Sequence, residues 1–141
     1  MIKNTFLVAF IILLSSCSSE VKKGDAARFK HGIFEIPADK SYSKTVITRV
    51  DSLQIEEYTR TVSVSKDDKV FDKTIQHIDT LFITWKNGFA YTLRMKSPKT
   101  KLDKDPIFVQ ITKVTDSSYS FTAKIGYSKF TQKGVVYKVK R

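Results

Sequence analysis

The chain has 141 residues, is 41% hydrophobic and 28% charged, and carries 25 Lys plus Arg against 14 Asp plus Glu, a net of +11. That length fits one domain of ordinary size, and the apolar share argues against disorder. A single Cys excludes a disulfide framework and a thiolate zinc cluster, and two His exclude a three-histidine metal site.

The chain opens Met1-Ile2-Lys3-Asn4, runs apolar from Phe6 to Leu14, and then turns to Ser15-Ser16-Cys17-Ser18-Ser19. Nine apolar residues are too few to cross a bilayer core, which takes about 20. A short basic start, an apolar stretch and small residues after it make a secretory signal. Leu14-Ser15-Ser16-Cys17 resembles the lipobox of bacterial lipoproteins. That resemblance implies cleavage between Ser16 and Cys17, with acyl chains such as palmitate on Cys17 as the new N-terminus. Two or three such chains anchor stably, at about 0.8 kcal/mol per buried methylene. Ser18 rather than Asp after the Cys points to the outer membrane of the cell envelope. The polar, aperiodic residues that follow make a tether of about ten residues, on the order of 17 Å across as a flexible coil. The expected division is therefore a lipoprotein signal peptide over 1–16, the lipidated Cys and tether over 17–27, and one all-β domain over 28–141.

From Arg28 onward the pattern alternates with period two. The first strand is expected over Arg28 to Ile36, ended by Pro37. Lys44 to Val50 and Leu53 to Thr59 flank Asp51-Ser52 as a hairpin. There Val46, Thr48, Val50, Leu53 and Ile55 share one face, and Arg49, Gln54 and Glu56 the other. Residues 61–76 suit the exposed tip of a long hairpin, with Ser65-Lys66-Asp67-Asp68-Lys69 as the turn. Asn87-Gly88 between two β-rich runs predicts a type I′ turn pairing Lys86 with Phe89. That register puts Phe82, Phe89, Tyr91, Leu93 and Met95 in the core, and leaves Leu81, Ile83 and Trp85 on a second, rather apolar face. Residues 97–105 form a loop. A third hairpin, Pro106 to Val114 and Tyr119 to Tyr127, has Ile107, Val109, Ile111, Tyr119, Phe121, Ala123 and Ile125 inside. Lys133 to Lys140 closes the chain. About eight short strands joined in order predict a single antiparallel meander closing into a small, lipocalin-like barrel or half-barrel, with a two-sheet sandwich as the alternative.

Gly32-Ile33-Phe34, the run Ile47-Thr48-Arg49-Val50-Asp51-Ser52-Leu53-Gln54-Ile55-Glu56, the isolated Trp85 and Lys133-Gly134-Val135 resemble a group of small lipoproteins from flavobacteria and their relatives. The resemblance covers most of residues 28–141 and implies a compartment and a host group rather than a mechanism. Some members of that group carry a DNA topoisomerase IV label. Such an enzyme needs a nucleophilic Tyr within a far larger ATP-driven machine, and this sequence has no phosphate-binding Gly loop.

Candidate chemistry is sparse. His77 and Asp79 share a strand face and would suit a metal or an acid–base pair, with Glu56 or Glu57 as a third ligand from a neighbouring strand. An exposed polar face explains the same spacing without a ligand. Glu56 and Glu57 are adjacent on a strand, so they point apart and cannot flank one substrate. No catalytic set, metal site or cofactor follows, and the expectation is a non-enzymatic protein. Arg49, Gln54 and Glu56 make a ligand-orienting group at a barrel wall or a plain cross-strand ion pair. Trp85 is either part of that ligand or partner face, or covered by the N-terminal strand or by residues 61–76.

The charge is uneven. Residues 1–85 carry 12 Lys plus Arg and 11 acids, and residues 86–141 carry 13 and 3. Arg94, Lys96, Lys124, Lys138 and Lys140 are expected on one basic outer face. A secreted lipoprotein seldom meets nucleic acid, so the expected partners are the membrane reached through the lipid, an anionic lipid or an acidic envelope protein. Two functions follow as expectations: a binding or scaffolding module with that basic face, or a small barrel carrying an apolar ligand.

Overall fold

A computed structural model of the chain describes residues 26–40 and 43–140; the signal segment, Ser16, Cys17 and the tether as far as residue 25 lie outside them. Eight strands run β1 (Gly32–Ile36), β2 (Thr45–Val50), β3 (Leu53–Lys66), β4 (Lys69–Asn87), β5 (Ala90–Met95), β6 (Ile107–Val114), β7 (Ser118–Ile125) and β8 (Thr131–Lys138). Each pairs antiparallel with the next and β8 returns to β1, closing a barrel rather than a two-sheet sandwich. A meander turns every side chain set inward or outward by strand parity. The inward set is Phe34, Ile47, Leu81, Ile83, Tyr91, Leu93, Val109, Ile111, Tyr119, Phe121 and Val136, all buried. Fully burying a side chain of this kind contributes about 1.5–3 kcal/mol. Every strand pairing lies within 26–140, so a chain starting at Ser18 keeps the complete barrel.

The β4–β5 hairpin departs from the expected register. Its two-residue turn is Gly88-Phe89, with Asn87 opposite Ala90, and a bulge between Trp85 and Asn87 shifts the ladder by one. Gly88 is not at positive φ. Instead the Asn87 side-chain oxygen accepts from the Phe89 N–H at 2.8 Å, an Asx turn that a type I′ reading of Asn-Gly overlooks. The slip places Leu81, Ile83 and Trp85 inside with Tyr91, Leu93 and Met95, and turns Phe82 out to 45% exposure. Burying all six apolar residues together outweighs the preferred turn type.

Three smaller differences follow from the barrel's ends. The expected first strand is a 3₁₀ turn, Ala27–Phe29, followed by β1, because Gly32 takes a φ of +125° that redirects the chain. Ala26, expected in the tether, is wholly buried with Phe29 as a plug across that end. Ile125, expected inside, lies at the other end and is exposed.

Because strands alternate in direction, the loops 51–52, 88–89 and 115–117 share the plugged end with the N-terminal turn. The loops 37–44, 96–106 and 126–130 share the opposite end with the β3–β4 turn. β3 and β4 pair with each other as far as Lys66–Lys69, well past their outer neighbours, so they extend from that second end as a two-stranded ribbon. Asp67 and Asp68 both take positive φ at its tip, as a tight two-residue turn requires.

Candidate functional site

Arg49 is the largest fully buried side chain among the described residues and lies inside the barrel, close to the 51–52 turn of the plugged end. Its Nε donates to Gln54 Oε1 at 2.7 Å and its Nη1 to the Phe29 carbonyl at 2.9 Å. Its Nη2 donates to the hydroxyls of Tyr91 at 3.0 Å and Tyr119 at 2.8 Å, which also bond each other at 2.8 Å. Four of the five guanidinium donors are thereby used. The rings of Phe34, Trp85, Tyr91 and Tyr119 all lie within 5.7 Å of its Cζ, adding cation–π attraction. Burial works against the charge, but the two tyrosine oxygens outweigh it and hold the guanidinium pKa above its usual value. Burial likewise pushes the Tyr91 hydroxyl well above the ordinary phenol range, although Arg49 opposes the shift, so Tyr91 stays neutral. No buried side-chain nitrogen or oxygen among the described residues lacks a partner. Arg49 thus ties the plug to three strands and forms a polar floor.

The chain of contacts continues upward. Gln54 Nε2 donates to Glu56 Oε1 at 2.6 Å, so Arg49 reaches Glu56 through Gln54 rather than by a direct ion pair. Glu56 stands opposite Asp79 on β4, and Asp79 accepts from the Tyr58 hydroxyl at 2.8 Å. Burial raises the Glu56 pKa, the Gln54 hydrogen bond lowers it, and the neighbouring Asp79 raises it again, for a net upward shift. Burial, with Asp79 as the second influence, pushes the Tyr58 hydroxyl up to about 12, so it remains a donor. His77 stacks on Tyr58 at 5.4 Å, with 12° between the rings. Among the described residues no three His, Cys, Asp or Glu side chains are grouped to hold a metal ion.

Above the floor the barrel is hollow. A cavity of about 410 Å³ opens at the end opposite the plug. Leu93, Ile107, Val109 and Phe121 form one wall, and Gln54, Glu56, Tyr58 and Arg60 the facing one. At its rim β8 meets β1 only at Phe34–Lys138 and Glu35–Tyr137, so the two strands part toward the open end. The groove between them, about 270 Å³, shares Ile36, Pro37, Asp39, Phe121 and Gln132 with the cavity. At this seam Phe121 Cζ lies 2.7 Å from where a Cβ on Gly134 would stand, so only glycine lets the ring lie there.

The structure therefore brings Arg49, Gln54, Glu56 and Trp85 together inside the barrel. Trp85 belongs to the floor, packed on Tyr91 at 4.7 Å and covered by Lys30 of the N-terminal segment. Tyr58, Tyr91 and Tyr119 complete the group; the alternation places Tyr91 and Tyr119 inside, as found, but gives no sign of their hydrogen bonds to Arg49. The expected single basic face divides. Lys124 pairs with Thr131 at the start of β8, whereas Lys138 ends β8 against Phe34. Lys138 also shares the parity of inward Val136, so it does not continue an outward row. Arg94, Lys96 and Lys124 lie toward the open end, Lys138 and Lys140 at the plugged end. The site defines a small, plugged, eight-stranded up-and-down barrel with a half-polar cavity. No protein family model, no curated protein and no solved structure matches this chain.

Glu56 has a testable cost. Its folded pKa lies above its unfolded one, so the folded state holds its proton more tightly and stability falls as pH rises from about 4.5 through the folded value. Glu56→Gln is expected to be more stable than the parent at pH 7–8. That advantage should vanish below pH 4.5, where Glu56 is protonated in both states. Urea unfolding at the two pH values checks it, and an equal or lower stability at pH 8 contradicts it.

Proposed function

We propose that this barrel binds a small amphiphile in its open cavity without converting it, while lipidated Cys17 holds it in the bacterial envelope, at the outer membrane. The supporting observation is the division of the cavity of about 410 Å³ into an apolar wall and a facing wall that carries Glu56 with Asp79 behind it. Ligand cavities commonly measure about 300–1,000 Å³ and combine apolar lining with a few placed polar groups. The apolar body of the ligand lies against Leu93, Val109 and Phe121. A hydrogen-bond-donating or cationic end faces Glu56, with Asp79 opposite it on the next strand; Arg60 lies nearer the mouth, and four of the five Arg49 donors are committed to the floor.

Titration of the chain from Ser18 with a fluorescent long-chain amine and with its matching carboxylate tests the reading. The amine should bind at least about tenfold tighter, and binding should weaken as pH falls and Glu56 takes up its proton. Failure of both probes to bind, or a preference for the carboxylate, overturns it. For the anchor, the protein extracted from membranes should carry the mass of its acyl chains on Cys17. Membrane retention of an acylated Cys17→Ala variant overturns that part.

A further inference from the structure

Among the described residues the five most exposed large apolar side chains are Tyr127 (101%), Phe130 (87%), Val70 (71%), Leu102 (61%) and Ile78 (61%). All five lie at the open end or on the ribbon that leaves it; the plugged end has none of them. Leu102 is in the β5–β6 loop, and Tyr127 and Phe130 are in the β7–β8 loop. These loops touch: the Gly126 N–H donates to the Pro106 carbonyl at 2.7 Å, and Asp105 packs beside Gly126. Residues 96–105 and 124–133 together carry seven lysines against only Asp103 and Asp105. The Asp103 carboxylate is already engaged by the backbone N–H groups of Lys99 and Thr100, which hold its pKa below the usual carboxylate value.

We propose that this end of the barrel docks on an anionic lipid bilayer, with Tyr127, Phe130 and Leu102 entering the interface and the surrounding lysines facing the lipid phosphates. Aromatic and leucine side chains framed by lysine are the chemistry that partitions into such an interface. An acidic protein surface would also satisfy the lysines, and absence of vesicle binding at low salt would point to it instead. The β7–β8 loop leads directly into the parted β1–β8 seam, so docking there sets the cavity's side opening against the lipid. The inference stands on the loops and not on what fills the cavity, so its test is separate from ligand uptake.

Co-sedimentation of the chain from Ser18 with vesicles of phosphatidylglycerol and phosphatidylcholine, and of phosphatidylcholine alone, decides it. Binding to the anionic vesicles should weaken steeply with salt. Tyr127→Ser with Phe130→Ser should lower it by at least about tenfold. Neutralising Lys99, Lys101, Lys129 and Lys133 to Gln should lower it by about six-hundredfold, because each lysine near an anionic surface contributes about a factor of five. Lys138→Gln with Lys140→Gln, at the plugged end, should leave it unchanged. The proposal is overturned by absent binding at low salt, by equal binding to both vesicle types, or by equal loss in the plugged-end pair. Dimerisation in solution that Phe130→Ser abolishes would assign the patch to a second copy of the chain and also overturn it.

Discussion

Arg49→Met is expected to destabilise the barrel by about 3–5 kcal/mol, the cost of leaving its buried polar partners unsatisfied. The variant strands the Gln54 amide oxygen, the Phe29 carbonyl and two phenol hydroxyls at buried positions. Each buried polar atom left without a partner costs about 1–3 kcal/mol, although the two hydroxyls can still satisfy each other. For a domain of this size the change lowers the melting temperature by roughly 10–20 °C. Arg49→Lys should recover little of this. Its compact ammonium has three donors and no planar fork, so it cannot reach the plug carbonyl, the amide and both tyrosines at once. Loss of the Phe29 tie should also loosen the plug before the barrel melts, seen as faster amide exchange over 26–31 than over β6 and β7. A loss below about 1 kcal/mol would show that the plug and floor are held by apolar packing alone.

The strand pattern was legible because most of the strands alternate with period two and follow one another in sequence order, which leaves a meander little choice but to curl and close. What the pattern could not decide was which face of a hairpin points in. In β2 and β3 the sequence sets Val46, Thr48, Val50, Leu53 and Ile55 against Arg49, Gln54 and Glu56, and hydropathy favours the first set as core. The barrel turns the polar set inward, leaving Val50 48% exposed. That inversion is stable only because partners for Arg49 arrive from β5, β7 and the N-terminal turn, up to 70 residues away in sequence. No local window contains them. The same limit explains Asp79. Its spacing from His77 suggested a pair on one strand, whereas its consequential neighbours are Glu56 and Tyr58 across the ladder. Opposed carboxylates at a cavity wall cost stability in the empty barrel, the kind of local conflict that sequences retain where a ligand is to be met.

Ala123→Trp should abolish uptake of the amine probe, lowering affinity by at least about thirtyfold while leaving the fold intact. Ala123 lies on β7 between Val109 and Gln132, partly buried, and lines the cavity next to Phe121. An indole at that position projects into open volume instead of the packed core, so the usual overpacking penalty of about 1–3 kcal/mol should be largely avoided. The variant's melting temperature should therefore stay close to the parent's or rise as the hollow fills. Glu56→Gln gives the complementary arm, because it keeps the cavity's volume and removes one charge. If both variants lose the amine, but only Ala123→Trp also loses a neutral probe of the same chain length, then shape sets what enters and the carboxylates set which end it presents. If Ala123→Trp binds either probe as the parent does, the ligand sits elsewhere and the cavity is not the site.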